Sequence, residues 1–253
     1  MDERADDAEE RGTAAYVAEF IGTFGLVFFI TAAVSLYVTP AQGAFIDFSV
    51  IGLVHVFVLF MLIQTLAVIS GAHFNPAVTV AMTALRQITP VDAAIYIVSQ
   101  LAGAVAGALV TKLLFTEFKN AESVNYGATL LSDKIDGRVV LGMLAEGLGT
   151  FFLVWAIVGV AVNPRGAKDW AAFAISATLG LAVMVMAPLT GAGFNPARSF
   201  GPALVSGEFG GAGDFILAYV LAPVIGALLA AVIYFNLFIA PGRKEEGGMQ
   251  PVG

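Results

Sequence analysis

Six segments of this chain, about 15–38, 49–70, 91–115, 139–162, 170–190 and 214–239, are each apolar over a length that would cross a lipid bilayer. A spanning helix needs about 20 mostly apolar residues. In hydrocarbon the backbone N–H and C=O groups must be satisfied inside the protein, and for separate segments of this length the helix does that. Composition points the same way. The 253 residues are 58% apolar and only 12% charged, with a mean hydropathy of +0.87. A soluble domain carries about a quarter charged residues, so this chain lacks the polar surface to face water all round. An all-α, multi-pass membrane protein is expected.

The charge that exists is unevenly placed. Asp2, Glu3, Asp6, Asp7, Glu9 and Glu10 crowd the start of the chain, and the net charge of −7 sits largely there. Residues 1–12 lack the basic start and cleavage site of a signal peptide and read as a solvated, disordered acidic tail. No basic face is present, which excludes nucleic acid as a partner. There is no cysteine and there are only two histidines. No disulfide framework, metal cluster or nucleophile–base pair can be assembled, so neither an enzyme nor a cofactor is expected. Six spans put both termini on one side. Arg4, Arg11, Arg86, Arg165, Lys168, Arg243 and Lys244 fall on that side, against chiefly Lys119, Lys134 and Arg138 on the other. The positive-inside rule then makes the termini cytoplasmic, and the plasma membrane is the expected location.

Two further apolar segments are too short to span. They open on Asn75 in "SGAHFNPAVTV" and on Asn195 in "TGAGFNPARSF". At about 1.5 Å per residue each reaches roughly 16 Å, half a hydrocarbon core. Asn is a good N-cap, and Pro suits the first helical position because no N–H is needed there. Half-helices are therefore expected at 75–86 and 195–206. "VAEFIGTFGLVFF" from Val17 also resembles "LAEGLGTFFLVWA" from Leu144, matching Glu19 to Glu146, Gly22 to Gly149 and Thr23 to Thr150. The chain thus reads as two repeats, 13–115 and 139–240, joined by an extracellular loop at 116–138 and followed by a cytoplasmic tail at 241–253. Each repeat holds three spans, an odd number, so the second repeat is inverted relative to the first. Interrupted segments at matching places in an inverted repeat point to a conduction or binding site near the midplane.

At these residues the sequence resembles the aquaporin, or major intrinsic protein, family. The likeness covers nearly the whole chain between the tails and rests on "SGAHFNPAVT", "GFNPARSFGPA" and the paired Ala-Glu…Gly-Thr-Phe stretches. It implies a right-handed bundle of six helices and two re-entrant half-helices, one pore per subunit, and a homotetramer in lipid. It places Asn75, Pro76, Ala77, Asn195, Pro196 and Ala197 at the pore centre. Arg198 becomes the selectivity cation, Glu19 and Glu146 the supports of the half-helix loops, and His73 a vestibule residue. It also implies that water and small uncharged solutes pass while ions and protons do not.

Counting from the two Asn residues, the remaining filter positions of the family fall on His55, Val183 and Ala192. With Arg198 this set departs from strict water channels, which typically carry Phe, His and a small residue. It departs also from glycerol channels, which carry Trp, Gly and Phe. It resembles plant tonoplast-type members, some of which pass ammonia as well as water. Ser199 and Ala203 stand where glycerol facilitators usually have Asp and a basic residue. Tyr219 fits the aromatic expected early in the last span, whereas Val220 replaces a Trp found in many water channels. Alternatives are a broader glycerol or hydrogen peroxide facilitator, a coupled secondary transporter and a structural membrane-junction protein. A coupled carrier would want ionisable groups at the midplane, and only Glu19 and Glu146 supply carboxylates inside the spans. Gly103 and Gly107 form a GxxxG pair, the pattern of closely packed helices.

Overall fold

The computed structural model describes residues 11–38 and 47–241. Apart from Arg11, Gly12 and Pro241, the expected tails lie outside the described residues. Among the described residues six helices are long and apolar enough to cross a membrane: Thr13–Tyr37, Phe48–Ser70, Pro90–Leu114, Val139–Val162, Lys168–Thr190 and Ala212–Ile239. Two short helices, Pro76–Ala84 and Pro196–Ser206, stand between the second and third spans and between the fifth and sixth. No strand occurs among the described residues.

Local chemistry sets the ends. The third span opens on Thr89, whose hydroxyl accepts from Asp92 N, with Pro90 in the first turn. The second half-helix stops at Gly207, which adopts φ +80° and returns its N–H to Ala203 O. That is the left-handed ending glycine permits without a Cβ clash. The first half-helix ends at Ala84, two residues short of the expected 86. Leu85 caps it through Ala81 O, and Arg86 turns out of the helix at φ +56°. The segment 116–138 is more than a connector. It contains a helical turn, Lys119–Ser123, and it is tied to the spans at two points. Asn120 Nδ2 donates to Ser35 O and Val38 O, each at 2.8 Å, and Ser132 Oγ donates to Pro188 O at 2.9 Å.

The helices pack in matched pairs. The first span lies along the third and the fourth along the sixth, while the second and fifth face each other across the molecule. Each half-helix rests mainly on the third span of the opposite repeat: Pro76–Ala84 on the sixth span, Pro196–Ser206 on the third. Small residues allow these approaches. A Cβ on Gly103 or Gly107 would press into the backbone of Phe20–Phe24 or Phe24–Phe28, and one on Gly226 into the backbone of Gly147. With little hydrophobic drive between helices in lipid, such close backbone packing is a main source of helix association. The surface is apolar, with Val68 91% and Leu113 76% exposed, whereas Glu19, Gln100 and Glu146 are completely buried. Burial of polar groups beneath an apolar exterior is the arrangement of a protein solvated by lipid.

Candidate functional site

Asn75 and Asn195 occupy the N-caps of the two half-helices in almost superposable conformations, φ −155°, ψ 118° and φ −156°, ψ 110°. Asn75 Oδ1 accepts from Ala77 N at 2.9 Å. Asn195 Oδ1 accepts from Ala197 N at 2.9 Å and Arg198 N at 3.2 Å. Both therefore cap their own helix. Their amide nitrogens reach across the repeat boundary: Asn75 Nδ2 donates to Phe194 O at 2.9 Å and Asn195 Nδ2 to Phe74 O at 2.8 Å. Each amide has two N–H groups, so each keeps one beyond this crossed pair. Pro76, Ala77, Pro196 and Ala197 are buried beneath them, and the positive ends of both helix dipoles converge there.

The loops leading into these caps are strained alike. Gly71, Ala72 and Phe74 hold φ of +83°, +54° and +48°; Gly191, Ala192 and Phe194 hold +75°, +51° and +52°. For a residue with a Cβ this left-handed region costs about 1–2 kcal/mol, so something must hold it. The two buried glutamates do. Glu19 Oε1 accepts from Ser70 Oγ at 2.7 Å and His73 N at 2.9 Å, and its Oε2 from Phe74 N at 2.7 Å. Glu146 Oε1 accepts from Thr190 Oγ1 at 2.6 Å and Gly193 N at 2.9 Å, and its Oε2 from Phe194 N at 2.6 Å. Hydroxyls complete the frame: Tyr96 donates to Ser70 O and Tyr219 to Thr190 O, both at 2.8 Å.

The repeats differ at one position of this frame. Gln100, one turn after Tyr96, donates from Nε2 to Glu19 Oε2 at 2.7 Å and to Thr79 Oγ1 at 3.0 Å. One turn after Tyr219 stands Pro223, which has no such group. Glu19 therefore has a side-chain amide donor that Glu146 lacks, and Ser199 Oγ, where the second half-helix matches Thr79, is buried with no hydrogen-bond partner.

A cavity of about 270 Å³ runs past the two Asn residues. Its long wall is aliphatic, including Leu26, Leu59, Val78, Leu153, Ile175 and Leu179. One end carries His55 and Arg198, which are 3% and 2% exposed; the other carries His73, Gln87 and Arg11. Of the four expected filter residues, the structure thus brings two onto the cavity wall. Val183 and Ala192 are completely buried and are not among its lining residues. His55 Nδ1 lies 2.8 Å from Ile51 O. A carbonyl can only accept, so Nδ1 carries the proton and Nε2 is the acceptor of the neutral ring. His73 Nδ1 lies 3.1 Å from Thr79 Oγ1, and its ring meets Tyr96 edge-on at 5.3 Å. No group of side chains able to hold a metal ion occurs among the described residues.

Arg198 is positioned by a segment that sequence reading treated as a linker. Its NH1 donates to Gly127 O at 2.9 Å, while Nε has no partner. Gly127 sits at φ +81° against the backbone of Thr31, where a Cβ would be 3.0 Å from Thr31 Cα. The "NYGAT" stretch carried the one available signal, a glycine between Tyr126 and Ala128 inside a charged loop. Gln100 was equally visible, as an amide in the middle of an apolar span. Arg11 was counted only as a charge.

The family model described as Major intrinsic protein matches residues 8–234. The chain belongs to the major intrinsic protein family. It is 38% identical over 218 residues to Nodulin-26 of Glycine max, covering 86% of this chain and 75% of that protein. It is also 38% identical over 218 residues to Glycerol uptake facilitator protein-like 6 of Lactiplantibacillus plantarum, covering 85% of this chain and 94% of that protein. The structure of the aquaglyceroporin from Plasmodium falciparum superposes with a TM-score of 0.76 over 92% of this chain and 98% of that one, at 22% identity, which establishes the shared fold. This major intrinsic protein is accordingly an integral membrane protein and a passive channel, not an enzyme. Its likeness to tonoplast-type members rests on the filter residues alone, since these relatives are a nodulin and a glycerol facilitator-like protein.

Proposed function

We propose that the chain conducts water, with ammonia as a second neutral permeant, through a pore passing between Asn75 and Asn195. The crossed Asn–Phe hydrogen bonds carry this reading. They fix both amides so that each offers one remaining N–H at the same level of a narrow, mostly aliphatic cavity. A water molecule accepting from both directs its own hydrogens away from the centre, which interrupts a file of donors along which a proton could pass. The converging half-helix dipoles oppose cations at that level. Arg198 and His55 would form the narrow polar ring at one end, with Val183 and Ala192 shaping its backing. The loop charges support an extracellular position for that end and a cytoplasmic vestibule at His73, with both termini cytoplasmic; the plasma membrane is the membrane proposed. The apolar outer face is suited to lipid and to three further copies in a homotetramer.

Glycerol permeation is the second reading, favoured by the 38% identity to a glycerol uptake facilitator-like protein. Stopped-flow light scattering on proteoliposomes decides between them. Water conduction gives fast osmotic shrinkage, with internal alkalinisation when ammonia is supplied and no recovery of volume in a glycerol gradient. Rapid reswelling in glycerol would replace the water–ammonia assignment with the facilitator one. A dependence of flux on a proton or sodium gradient would refute both.

A further inference from the structure

The cavity has an arginine at each end, and the one opposite Arg198, Arg11, is placed there by its backbone. Arg11 N donates to Asp92 Oδ2 at 3.1 Å. The Tyr16 hydroxyl sits between Arg11 O, at 2.8 Å, and Asp92 Oδ1, at 2.6 Å. Thr89 Oγ1 donates to Asp92 Oδ2 at 2.7 Å. Asp92 is itself buried, at the start of the third span. These bonds tie the backbone before the first span across to the third span. They leave the Arg11 side chain on the cavity wall beside His73 and Gln87, with Nε buried and without a hydrogen-bond partner. Arg198 is anchored through its side chain instead, by NH1 to Gly127 O, and its Nε is likewise unpartnered.

We propose that Arg11 is a second, specificity-determining charge barrier at the mouth opposite Arg198, acting in series with it to reject cations. The inference rests on the channel reading above. A guanidinium on the wall of a low-dielectric passage raises the energy of a nearby cation and leaves a neutral solute untouched. Asp92 is the counter-charge on the far side of the Arg11 backbone, and its oxygens are occupied by the three donors just named. It weakens the barrier without cancelling it, so Arg11 ranks below Arg198. Two barriers in series have a specific consequence. Losing either alone leaves the other limiting, and the double loss leaves only the half-helix dipoles at the centre to oppose a cation.

The test measures current-equivalent uptake of methylammonium, driven by a set membrane potential, together with osmotic water flux in the same proteoliposomes. The proteins are wild type, Arg11→Ala, Arg198→Val and the Arg11→Ala/Arg198→Val and Arg11→Lys/Arg198→Val double variants. Arg11 is anchored through its backbone, so Ala retains the Asp92 and Tyr16 contacts and the fold. Each single variant should leak slightly. The double variant should leak at least about tenfold more than Arg198→Val, as expected when a unit charge a few ångströms from the path is removed. Arg11→Lys combined with Arg198→Val should stay near Arg198→Val alone. A double variant that transports water but leaks no more methylammonium than Arg198→Val would overturn the proposal. Failure of the channel reading shows separately, as wild-type vesicles that do not shrink faster than empty ones, and the barrier falls with it.

Discussion

Asn75 donates its side-chain amide to the carbonyl of Phe194, 119 residues away in sequence, and Asn195 returns the same bond to Phe74. Each half-helix cap is therefore completed by the loop of the other repeat. The caps and the strained loops behind them form one unit, so the glutamates that hold those loops also set the spacing of the two amides. Changes in the buried frame should reach the pore centre.

Gly149 tests that coupling. A Cβ there would overlap the ring of Phe194, with Cδ1 and Cζ both at 2.5 Å. Gly149→Val should cost about 1–3 kcal/mol in strain and displace the Phe194 carbonyl from Asn75. The expected result is a lower thermal midpoint in detergent together with reduced osmotic water flux. Unaltered stability and flux would show that the Phe194 loop yields without consequence.

Arg198→Val removes a fixed cation from the cavity wall and leaves the Gly127 carbonyl without its donor. Permeability to urea-sized solutes should rise several-fold, with a small proton or cation leak, because the half-helix dipoles and the opposite mouth still oppose charge. Urea uptake and internal-pH decay in proteoliposomes measure both. A folded variant whose conductances match wild type would place Arg198 off the permeation path.

His55→Phe probes the neutral-solute preference. With Nδ1 bonded to Ile51 O, the ring has Nε2 free to accept from a passing N–H. Phenyl removes that acceptor and adds bulk. Ammonia-driven alkalinisation should fall by a larger factor than osmotic water flux. Equal losses, or none, would sink the ammonia assignment.

Mercurial inhibition requires a thiolate ligand, and the chain has no cysteine. Water flux should persist at mercury concentrations that leave the bilayer intact. Prompt block reversed by added thiol would contradict a purified, single-component channel.

The six spans were legible because length and apolarity alone force them, and their ends fell within two residues of expectation. The half-helices were legible because Asn-Pro suits a helix start and recurs before short apolar segments at matching places of the two repeats; the third pair, Asn163-Pro164, lacks that setting and forms a turn. Cross-repeat contacts were not. Nothing local in "NYGAT" says that Gly127 will meet Arg198, since that contact depends on how a surface loop folds back over the bundle. Gln100 and Pro223 look unrelated until the repeats are superposed, which exposes the uneven support of Glu19 and Glu146. Val183 and Ala192 were placed by counting from Asn195, and counting fixes neighbourhood along the chain. It does not decide whether a side chain lies on the cavity wall or behind it.

The exchange of packing partners also orders the making of the molecule. Pro76–Ala84 leans on Ala212–Ile239, the last span to leave the ribosome. Its seat does not exist while the intervening helices are being inserted, and Phe74 has no Asn195 to hold it. A nascent chain stopped before residue 212 therefore carries an early re-entrant helix held by Glu19 and Gln100 but without its main seat. Assembly of the pore waits on the sixth span, and neither repeat can finish its half alone.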